Sequence, residues 1–431
     1  MAGLVPAIYV LDTTQPMTSL PSSVDVAVIG AGAAGLGAAH ALKREGRSFV
    51  VLEARGRAGG RGHTLTAAPG IIFDLGCGWL HSADHNAFVK IAEELDFEID
   101  KTLPPWRDRI AVDKAFPAKE RADFITSLDE FFDRIEEAAK GGVDHPANLY
   151  LEAGNRWNPM IDAVSSYING CETDRLSILD FDAYEDTNLN WRIRRGYGAL
   201  MEAHGAPLPI AFNCAVTLID HSGKRLSIET SQGTLEADKV IITVPTNLIA
   251  QEAVRFHPAL PEKVDAATNL PLGLADKVML ALDDAEKLPV DGNLRGATMR
   301  AEMGTYHLRP LGQSCVEGFF GGRFAQALED AGDGAIAAQA IDEIVSFLGN
   351  DFRRKLKPLR ESRWSHDRFA RGSYSHALPG HAGKRAILAA PVDGRLFFAG
   401  EATSPNYFST AHGAHDSGER AAKEATARPK K

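Results

Sequence analysis

The start of the chain alternates between apolar segments and a glycine-rich turn. An apolar strand at residues 24–29 runs straight into Gly30-Ala-Gly-Ala-Ala-Gly35. A helical stretch to Glu45 follows, with Gly46 placed to end it, and a second apolar strand covers residues 48–53. A strand, a helix and a second strand within about thirty residues are typical of a right-handed βαβ unit. We therefore predict that the chain opens with part of a parallel sheet.

Helical periodicity marks two segments after this unit, at residues 86–95 and 119–140. In the second segment the apolar positions, spaced by four, three and four residues, are Phe124, Leu128, Phe131 and Ile135. Such a stripe is typical of packing in a core or at a domain interface, and we interpret it in that way.

Strands and helices alternate through the rest of the chain. Short strands with turn signals fill residues 210–244, and the apolar run 240–244 predicts a buried strand. A helix is predicted near 335–348, a strand at 395–401, and a final helix of small residues at 411–425. Because strand-rich and helix-rich segments interleave, we expect two discontinuous domains.

The predicted fold class is α/β, with a Rossmann-type cofactor-binding domain interleaved with an α+β substrate-binding domain. The segments assigned to the cofactor-binding domain are 23–80, 200–254 and 390–431. The segments assigned to the substrate-binding domain are 81–199 and 255–389. Residues 1–22 lack the basic start of a signal peptide and are predicted to be a flexible N-terminal extension.

Composition narrows the classes of partner. The 431 residues carry a net charge of −10, which argues against nucleic acid because its binding requires a positive surface. Four cysteines lie far apart with no CxxC pair, which favours free thiols in a reducing, cytoplasmic compartment and indicates no metal site. No apolar run reaches the roughly 18 residues of a membrane span. The oligomeric state is left open between monomer and homodimer.

The glycine-rich turn carries the first sign of chemistry. Gly30 permits a tight turn, Gly32 lets the backbone approach a pyrophosphate, and Gly35 lets the helix pack on the strands. The helix amides would then face the phosphate charge. Glu53 ends the second strand, where a carboxylate can accept hydrogen bonds from the adenosine ribose hydroxyls. These residues predict a dinucleotide site, and a glycine-rich turn without a ligand is the alternative.

The residues around Glu53 separate FAD from NAD. The run Leu52-Glu-Ala-Arg-Gly-Arg-Ala-Gly-Gly-Arg61 resembles the LEAxxRxGGR signature of flavoprotein oxidases. Its glycines allow the backbone to wrap the diphosphate, and Arg61 can counter the negative charge. Nicotinamide dehydrogenases do not need this second phosphate loop, so the run favours FAD and an FAD-binding domain.

Three later segments extend the resemblance. Phe73-Asp-Leu-Gly-Cys-Gly-Trp79 resembles a segment that passes over the flavin. Phe398-Ala-Gly-Glu401 and the run from Thr410 to Arg420 resemble the motifs at the flavin end. Together the motifs resemble the flavin amine oxidase family, which includes monoamine oxidases, polyamine oxidases, flavin-dependent histone demethylases and L-amino acid oxidases. In this family the helix that begins at Thr410 would stabilise negative charge on the reduced ring.

The resemblance assigns roles to individual positions. Cofactor binding is expected from Gly30, Gly32, Ala33, Ala34, Gly35, Glu53, Ala54, Arg55, Gly60, Arg61, Gly76, Gly78, Trp79, Val216, Gly400, Glu401, Thr410 and Ala411. Catalytic roles are expected from Lys277, Tyr374, Thr410, His81 and Trp364.

Lys277 favours oxidation of a C–N bond. The run Leu272-Gly-Leu-Ala-Asp-Lys277-Val-Met-Leu resembles the family's strand whose lysine holds a water against flavin N5. A charged amine among apolar residues is costly unless it is used or paired. Related carotenoid desaturases and protoporphyrinogen oxidases generally do not rely on this lysine. The alternative is an edge lysine exposed to solvent.

An aromatic wall is expected from the run Arg363-Trp-Ser-His-Asp-Arg-Phe-Ala-Arg-Gly-Ser-Tyr374-Ser, which resembles the family's W…GSYS segment. Trp364 would pack near the flavin, and Tyr374 would orient a cationic amine before N5. A tyrosine that is merely packed is the alternative.

Two positions depart from monoamine oxidases. Thr410 stands where that subgroup has the second tyrosine of its aromatic cage, which implies a wider and more polar pocket. Ser373 stands where monoamine oxidases carry the cysteine that bonds FAD, so the resemblance predicts non-covalent FAD.

Polar residues near the substrate remain ambiguous. His81 resembles a histidine of polyamine oxidases that binds amine or tunes proton transfer, and a structural histidine is equally compatible. Glu185 and Asp186 are interpreted as a solvated turn in preference to a site for a distal ammonium.

The resemblance implies an FAD-dependent amine oxidase. Hydride would pass from the carbon next to the nitrogen to flavin N5, water would hydrolyse the imine, and O2 would reoxidise the flavin to give H2O2. One alternative is an L-amino acid oxidase, for which Arg107, Arg109 and Arg300 are candidates to clamp a carboxylate. Others are a desaturase-like dehydrogenase acting on C–C bonds and a flavin-binding module without turnover.

Overall fold

The computed structural model of the protein describes residues 20–104, 106, 116–296 and 299–427. The β-strands are β1 (Ser23–Ile29), β2 (Phe49–Leu52), β3 (Thr64–Ala68), β4 (Ile71–Asp74), β5 (Ile99–Asp100), β6 (Arg192–Ile193), β7 (Ile210–Ala211), β8 (Val216–Asp220), β9 (Leu226–Thr230), β10 (Gly233–Ile242), β11 (Arg255–His257), β12 (Ala275–Leu282), β13 (Gly292–Arg295), β14 (Thr305–Leu308), β15 (Cys315–Gly321), β16 (Leu356–Glu361) and β17 (Leu396–Phe398).

The α-helices are α1 (Ala33–Arg44), α2 (Ala87–Glu94), α3 (Ala118–Ala139), α4 (Asn158–Ile168), α5 (Ile178–Asp182), α6 (Tyr197–Gly205), α7 (Thr246–Ala250), α8 (Pro261–Thr268), α9 (Gly322–Ala331), α10 (Ala335–Leu348), α11 (Lys384–Ala389) and α12 (Ala411–Thr426). Short 3₁₀ turns lie at Ala147–Tyr150, Thr173–Arg175, Ala285–Lys287, Pro310–Gly312, Asn350–Arg354 and Glu401–Thr403.

The first sheet has the order β11-β8-β9-β10-β1-β2-β7, and β17 also pairs with β10. The strands β17, β10, β1, β2 and β7 run parallel. The first half of β10 instead pairs antiparallel with β9, and its second half pairs with β17. Loops after parallel strands gather at the carboxyl edge of the sheet, which is where open α/β sheets bind their ligands.

Alternating side chains of β1 build two cores, one on each face of the sheet. Val26 and Val28 pack against α1, α2, α6 and α12. Ala27 and Ile29 face the other side, where α7, α8 and α11 contribute apolar residues. Burial on both faces explains why β1 is an almost continuous apolar run. The helices α1 and α12 are packed directly on each other.

The second sheet is antiparallel, with the order β13-β14-β15-β12-β16. Its core combines strand residues with apolar residues of α9 and α10. A separate core joins α3 and α4, and it includes Phe124, Phe131 and Ile135 of the predicted apolar stripe. The prediction of a mixed α/β fold with a parallel sheet is confirmed.

Most element predictions agree with the structure. The helix predicted at 119–140 is α3, the helix at 86–95 is α2 with Asn86 as its N-cap, and the helix at 411–425 is α12. The apolar run 240–244 is only the end of the longer strand β10. Gly46 follows the end of α1 with a positive φ of 63°, as a C-terminal glycine does.

One short strand crosses the predicted domain boundary. β11 begins at Arg255, which the sequence placed in the substrate-binding domain, yet β11 pairs with β8 in the first sheet. A strand of three residues shows no usable periodicity, so the sequence could not assign it. The division into domains otherwise stays a prediction, and residues 1–19 of the predicted extension lie outside the described residues.

Within the described ranges, no helix is long and apolar enough to cross a membrane. Cys77, Cys171, Cys214 and Cys315 are free thiols, as predicted.

Candidate active site

The glycine-rich turn after β1 forms a tight cradle. Gly30 has a φ of 99°, and a Cβ on Gly35 would lie 1.8 Å from the Gly30 carbonyl oxygen. Gly32 is the N-cap of α1 and provides no side-chain cap, so the first-turn amides are available to an external acceptor. The positive φ of Gly30 and the close approach at Gly35 both require glycine, as the sequence predicted.

Glu53 follows β2 directly and is buried, with 5% of its surface exposed. Its two carboxylate oxygens accept hydrogen bonds from the backbone N–H groups of Ala31 (2.6 Å) and Arg55 (2.8 Å). Burial raises the pKa of this carboxyl, and the two hydrogen bonds oppose that effect. The carboxylate is therefore fixed beside the glycine-rich turn.

The second glycine loop lies against the first. Gly32 and Gly59 form a β-bridge, and a Cβ on Gly60 would lie 3.2 Å from the Gly32 Cα. The guanidinium of Arg55, which was expected to bind the cofactor, instead donates two hydrogen bonds to Asp367, at 2.8 and 2.6 Å. Ala54 lies between Glu53 and Arg55. The two predicted phosphate loops therefore meet at one place.

Arg61 joins three distant motifs. One guanidinium nitrogen donates to the Ser373 carbonyl oxygen (2.7 Å) and to Glu401 Oε1 (2.9 Å). Glu401 also accepts hydrogen bonds from Ser375 Oγ (2.6 Å) and Ser409 N (3.0 Å). Burial alone would raise the pKa of Glu401, but Arg61 and the Ser375 hydroxyl hold it below its usual range.

A shallow, open recess lies at the carboxyl edge of the first sheet. Its walls include Arg61, Thr243 after β10, and Gly400 and Glu401 after β17. Gly400 has a φ of 135°, which a side chain disfavours. Val216 is buried in β8, and it follows Cys214, whose N–H donates to the Glu53 carbonyl oxygen. Three of the predicted cofactor positions, Arg61, Gly400 and Glu401, thus lie together at this edge.

The helix α12 begins at this edge. Thr410 is its N-cap, and its hydroxyl accepts from Gly413 N (3.0 Å) and donates to the Tyr407 carbonyl oxygen (2.6 Å). Ala411 is the first residue of the helix. Ser409 Oγ donates to the Ser375 carbonyl oxygen (2.6 Å), which links this turn to the segment that contains Tyr374.

Lys277 lies on β12, between β15 and β16, so the alternative of a solvent-exposed edge lysine is wrong. Its Nζ donates to the Asp74 carbonyl oxygen (3.0 Å) and to Glu317 Oε1 (3.0 Å). A Cβ on Gly78 would lie 3.4 Å from the same Nζ. Lys277 is therefore both paired and placed beside the segment predicted to pass over the flavin.

Trp364 and Tyr374 are held by backbone carbonyls. The indole nitrogen of Trp364 donates to the Leu75 carbonyl oxygen (3.2 Å), and a Cβ on Gly76 would lie 3.1 Å from the Trp364 ring. The Tyr374 hydroxyl donates to the Tyr167 carbonyl oxygen, and burial raises its pKa. These contacts fix both rings in place.

Trp79 lies among charged groups. The Arg192 guanidinium carbon is 5.0 Å from the Trp79 ring centroid, and the His307 ring is stacked at 6.3 Å. On another side, the Trp79 and Trp106 rings meet edge to face at 4.5 Å. Trp79 therefore forms the boundary between the Gly76–Gly78 segment and the second sheet.

His81 and the two acidic residues each take part in hydrogen bonds within the protein. His81 Nδ1 lies 2.6 Å from Asn190 Oδ1, and burial lowers the pKa of the imidazole. Glu185 accepts a hydrogen bond from the Tyr407 hydroxyl (3.0 Å), and Asp186 accepts one from Asn188 N (2.7 Å). The two acidic residues therefore serve the local structure, in line with the preferred interpretation.

The comparisons with known proteins identify the family. The family model of flavin-containing amine oxidoreductases matches residues 33–144 and 147–426. The chain belongs to this family. It is a flavin-containing enzyme that acts on amines.

Among the relatives of this amine oxidoreductase, polyamine oxidase 4 of Oryza sativa subsp. japonica is 29% identical over 96% of the chain and 90% of the relative. Lysine-specific histone demethylase 1 homolog 1 of the same organism is 30% identical over 97% of the chain and 54% of the relative. The chain thus spans about half the length of this demethylase homologue.

Solved structures share the fold of this amine oxidoreductase. Putrescine oxidase bound to putrescine superposes with a TM-score of 0.77 at 20% identity, over 94% of this chain and 99% of the other. Cyclohexylamine oxidase from Brevibacterium oxydans IH-35A gives 0.73 at 21% identity, over 93% and 98%. At these identities the likeness concerns the fold alone.

Two buried charged groups near the site were not found from the sequence. Glu317 pairs with Lys277. Arg385 binds Asp180 and also donates to Ser375 Oγ (2.9 Å) beside Tyr374. These pairs join residues that are 40 and 205 positions apart, and no motif records such a distance.

Proposed function

We propose that this amine oxidoreductase is an FAD-dependent amine oxidase that transfers hydride from the carbon next to an amine nitrogen to the flavin and releases H2O2. The observation that carries the proposal is the contact set of Arg61. Its guanidinium joins the second phosphate loop, the Glu401 turn and the carbonyl of Ser373, which is the neighbour of Tyr374. Cofactor loops and the predicted amine wall therefore converge.

The residues at the carboxyl edge of the first sheet favour FAD as the cofactor. Because Gly32 provides no side-chain cap, the backbone N–H groups in the first turn of α1 can donate hydrogen bonds to a diphosphate. Glu53 is fixed beside this turn, where it would bind a ribose. Arg61 supplies a positive charge at the recess between the strand ends. When bound, FAD supplies the two-electron acceptor that no side chain can provide.

The protein's own groups would bind and orient the amine. Tyr374 offers an aromatic face, and Thr410 offers a small polar side chain on the adjacent turn. With Asn190 Oδ1 accepting from Nδ1, the neutral imidazole of His81 keeps its lone pair on Nε2, where it can accept an N–H of the substrate. Lys277 holds a water for the oxygen reaction.

The flavin linkage is proposed to be non-covalent. Ser373 occupies the position of the linking cysteine, and its hydroxyl donates to the Ala275 carbonyl oxygen (2.9 Å). Cys77 lies in the segment beside the flavin site, but burial raises the pKa of its thiol to about 12. A thiol held protonated is a poor nucleophile. Acid precipitation should leave yellow flavin in the supernatant, and a coloured pellet would contradict this linkage.

A coupled-peroxide assay tests the function. The purified protein is offered cyclohexylamine, putrescine, longer polyamines, L-amino acids and a methyl-lysine peptide, with O2 as the acceptor. We expect peroxide with at least one amine and bleaching of the flavin band by the same amine without oxygen. Bound flavin with neither response would exclude the proposal and favour the desaturase-like alternative.

An L-amino acid oxidase is less well supported. A carboxylate needs an arginine inside the pocket. Arg300 is exposed and lies near Glu343 of the second core, while Arg107 and Arg109 lie outside the described residues. The L-amino acid arm of the assay decides between the two substrate classes.

A further inference from the structure

An open recess reaches Lys277. Its lining includes Trp79, Arg192, Lys277 and Glu317. The ammonium of Lys277 is therefore not enclosed by apolar groups alone, and its surroundings include a carboxylate that the family motifs do not contain.

We propose that Glu317 is a positioning residue that holds the ammonium of Lys277 beside the flavin site. This inference rests on the proposed function, because it assumes that Lys277 serves the oxygen reaction. Glu317 Oε1 lies 3.0 Å from Lys277 Nζ, and both side chains are 12% exposed. A charged pair at this burial fixes the direction of the amine.

The strand register makes this pairing possible. Lys277 on β12 stands opposite Phe319 on β15, and Glu317 stands opposite Met279. Lys277 and Glu317 are thus diagonal neighbours on one face, a separation that two long side chains can bridge. The Nζ also lies 5.1 Å from the Phe319 ring centroid, which supports a cation but supplies no charge.

Other acidic groups near Lys277 cannot replace Glu317. Asp74 lies close, but its carboxylate accepts from Thr64 Oγ1 (2.5 Å), Tyr197 N (2.9 Å) and Gly198 N (3.2 Å). Burial raises the pKa of Asp74, which further weakens it as a counter-charge. The Lys277 ammonium also donates a hydrogen bond to the backbone carbonyl oxygen of Asp74, which carries no net charge.

His307 lies near Glu317 and is itself held by Asp291. His307 Nδ1 lies 3.9 Å from Glu317 Oε2, and its Nε2 lies 3.0 Å from Asp291 Oδ1. Asp291 is itself held by Arg192 (2.8 Å) and by Leu311 N (3.0 Å). The carboxylate of Glu317 therefore bonds Lys277 directly and lies near an imidazole that Asp291 fixes.

The test measures Lys277 itself as well as turnover. The flavin-loaded protein is treated with acetic anhydride at one mildly alkaline pH, and acetylation of Lys277 is measured by peptide mass spectrometry relative to the exposed Lys224. In Glu317→Gln we expect the relative labelling of Lys277 to rise by about tenfold, since an amine without its carboxylate is more often free and mobile. In Glu317→Asp the rise should be smaller.

Glu343→Gln is the matched control. Glu343 is also a buried carboxylate of the second core, bonded to the Tyr306 hydroxyl, but it does not contact Lys277. We expect it to lower stability without changing the labelling of Lys277. Unchanged labelling in folded Glu317→Gln, or in Glu317→Asp if the first variant does not fold, would overturn the proposal.

Half-reaction kinetics separate this inference from the proposed function. In Glu317→Gln the reaction of the reduced enzyme with O2 should slow by about ten- to a hundredfold while anaerobic reduction by the amine stays nearly unchanged. If no amine yields peroxide but labelling rises, Glu317 positions Lys277 and the proposed function is wrong. If peroxide forms and labelling is unchanged, the function stands and the role of Glu317 is wrong.

Discussion

Gly418 lies so close to Ala34 that a Cβ atom on Gly418 would come within 1.9 Å of the Ala34 carbonyl oxygen. The contact joins α12 to α1, the two helices whose N-termini, at Thr410 and Gly32, lie at the proposed flavin site. The spacing of these helices therefore depends on a missing side chain.

Gly418→Ala should lower the free energy of unfolding by about 1–3 kcal/mol, because the added methyl forces the two helices apart. Flavin content after purification should fall as well, since both helix N-termini move. Thermal melting and the ratio of flavin to protein measure the two effects. Gly383→Ala is the control, because no atom of the described residues lies within 4 Å of a Cβ there. Equal melting of the two variants would refute the packing argument.

The buried pair of Asp180 and Arg385 supports the Tyr374 segment. Two hydrogen bonds of 2.6 and 2.8 Å join the side chains, which are 2% and 6% exposed. Asp180→Asn should cost about 3–5 kcal/mol, because it leaves a buried guanidinium without its counter-charge. Urea unfolding measures this cost.

An exposed pair provides the comparison. Asp174 lies 2.6 Å from Arg323, but the side chains are 44% and 60% exposed. Asp174→Asn should cost about 0–1 kcal/mol, because solvent already screens that pair. Similar losses in the two variants would mean that burial of Asp180 does not matter.

Acid should destabilise the fold through His204. Burial, with smaller effects of His40 and His415, lowers the pKa of His204 to about 3. The unfolded chain binds a proton near pH 6.5 and the folded chain does not, so stability falls as pH drops from about 6.5 toward 3, by up to about 1.4 kcal/mol per pH unit.

His204→Phe should reduce this slope. The His204 ring stacks on His40 at 3.9 Å, and its Nε2 has no hydrogen-bond partner among the residues that the structure describes, so an apolar ring fits the contact. Melting temperatures between about pH 7 and pH 4 measure the slope. Some acid sensitivity should remain, because burial also lowers the pKa of His412, to about 4. An unchanged slope would show that His204 is not responsible.

Lys277→Met should slow reoxidation of the flavin by O2 far more than it disturbs flavin binding, because the ammonium that holds the water is lost. Stopped-flow mixing of the reduced protein with oxygen measures the rate, and we expect a loss of about tenfold or more. Lys287→Met removes an exposed lysine paired with Asp284 and should change neither property. Oxygen kinetics equal to those of the unmodified protein would remove Lys277 from the mechanism.

The sequence was most informative where chemistry restricts the residue type. The roles of Gly30 and Gly35 could be predicted because their positions exclude a side chain. The position of Glu53 could be predicted because it directly follows a strand. Short-range periodicity gave α3 and α12 to within a residue. These signals are local, so one chain is enough to record them.

The sequence was least informative where contacts depend on the register of distant segments. Glu317 meets Lys277 only because β15 and β12 pair with a particular offset, and Arg385 meets Asp180 only because the fold brings α11 beside α5. Arg61 was expected to counter the charge of a diphosphate. In the structure it also donates hydrogen bonds to Glu401 and to the Ser373 carbonyl oxygen. Such partners follow from the fold and not from spacing along the chain.

The position of β17 and α12 in the chain has a consequence for biosynthesis. β1 and β10 are synthesised before β17, the strand that pairs beside β10, and before α12, the helix that packs on α1. A nascent chain that has emerged only as far as α11 lacks Gly400, Glu401 and Thr410. The proposed flavin site is therefore complete only after translation has passed these residues.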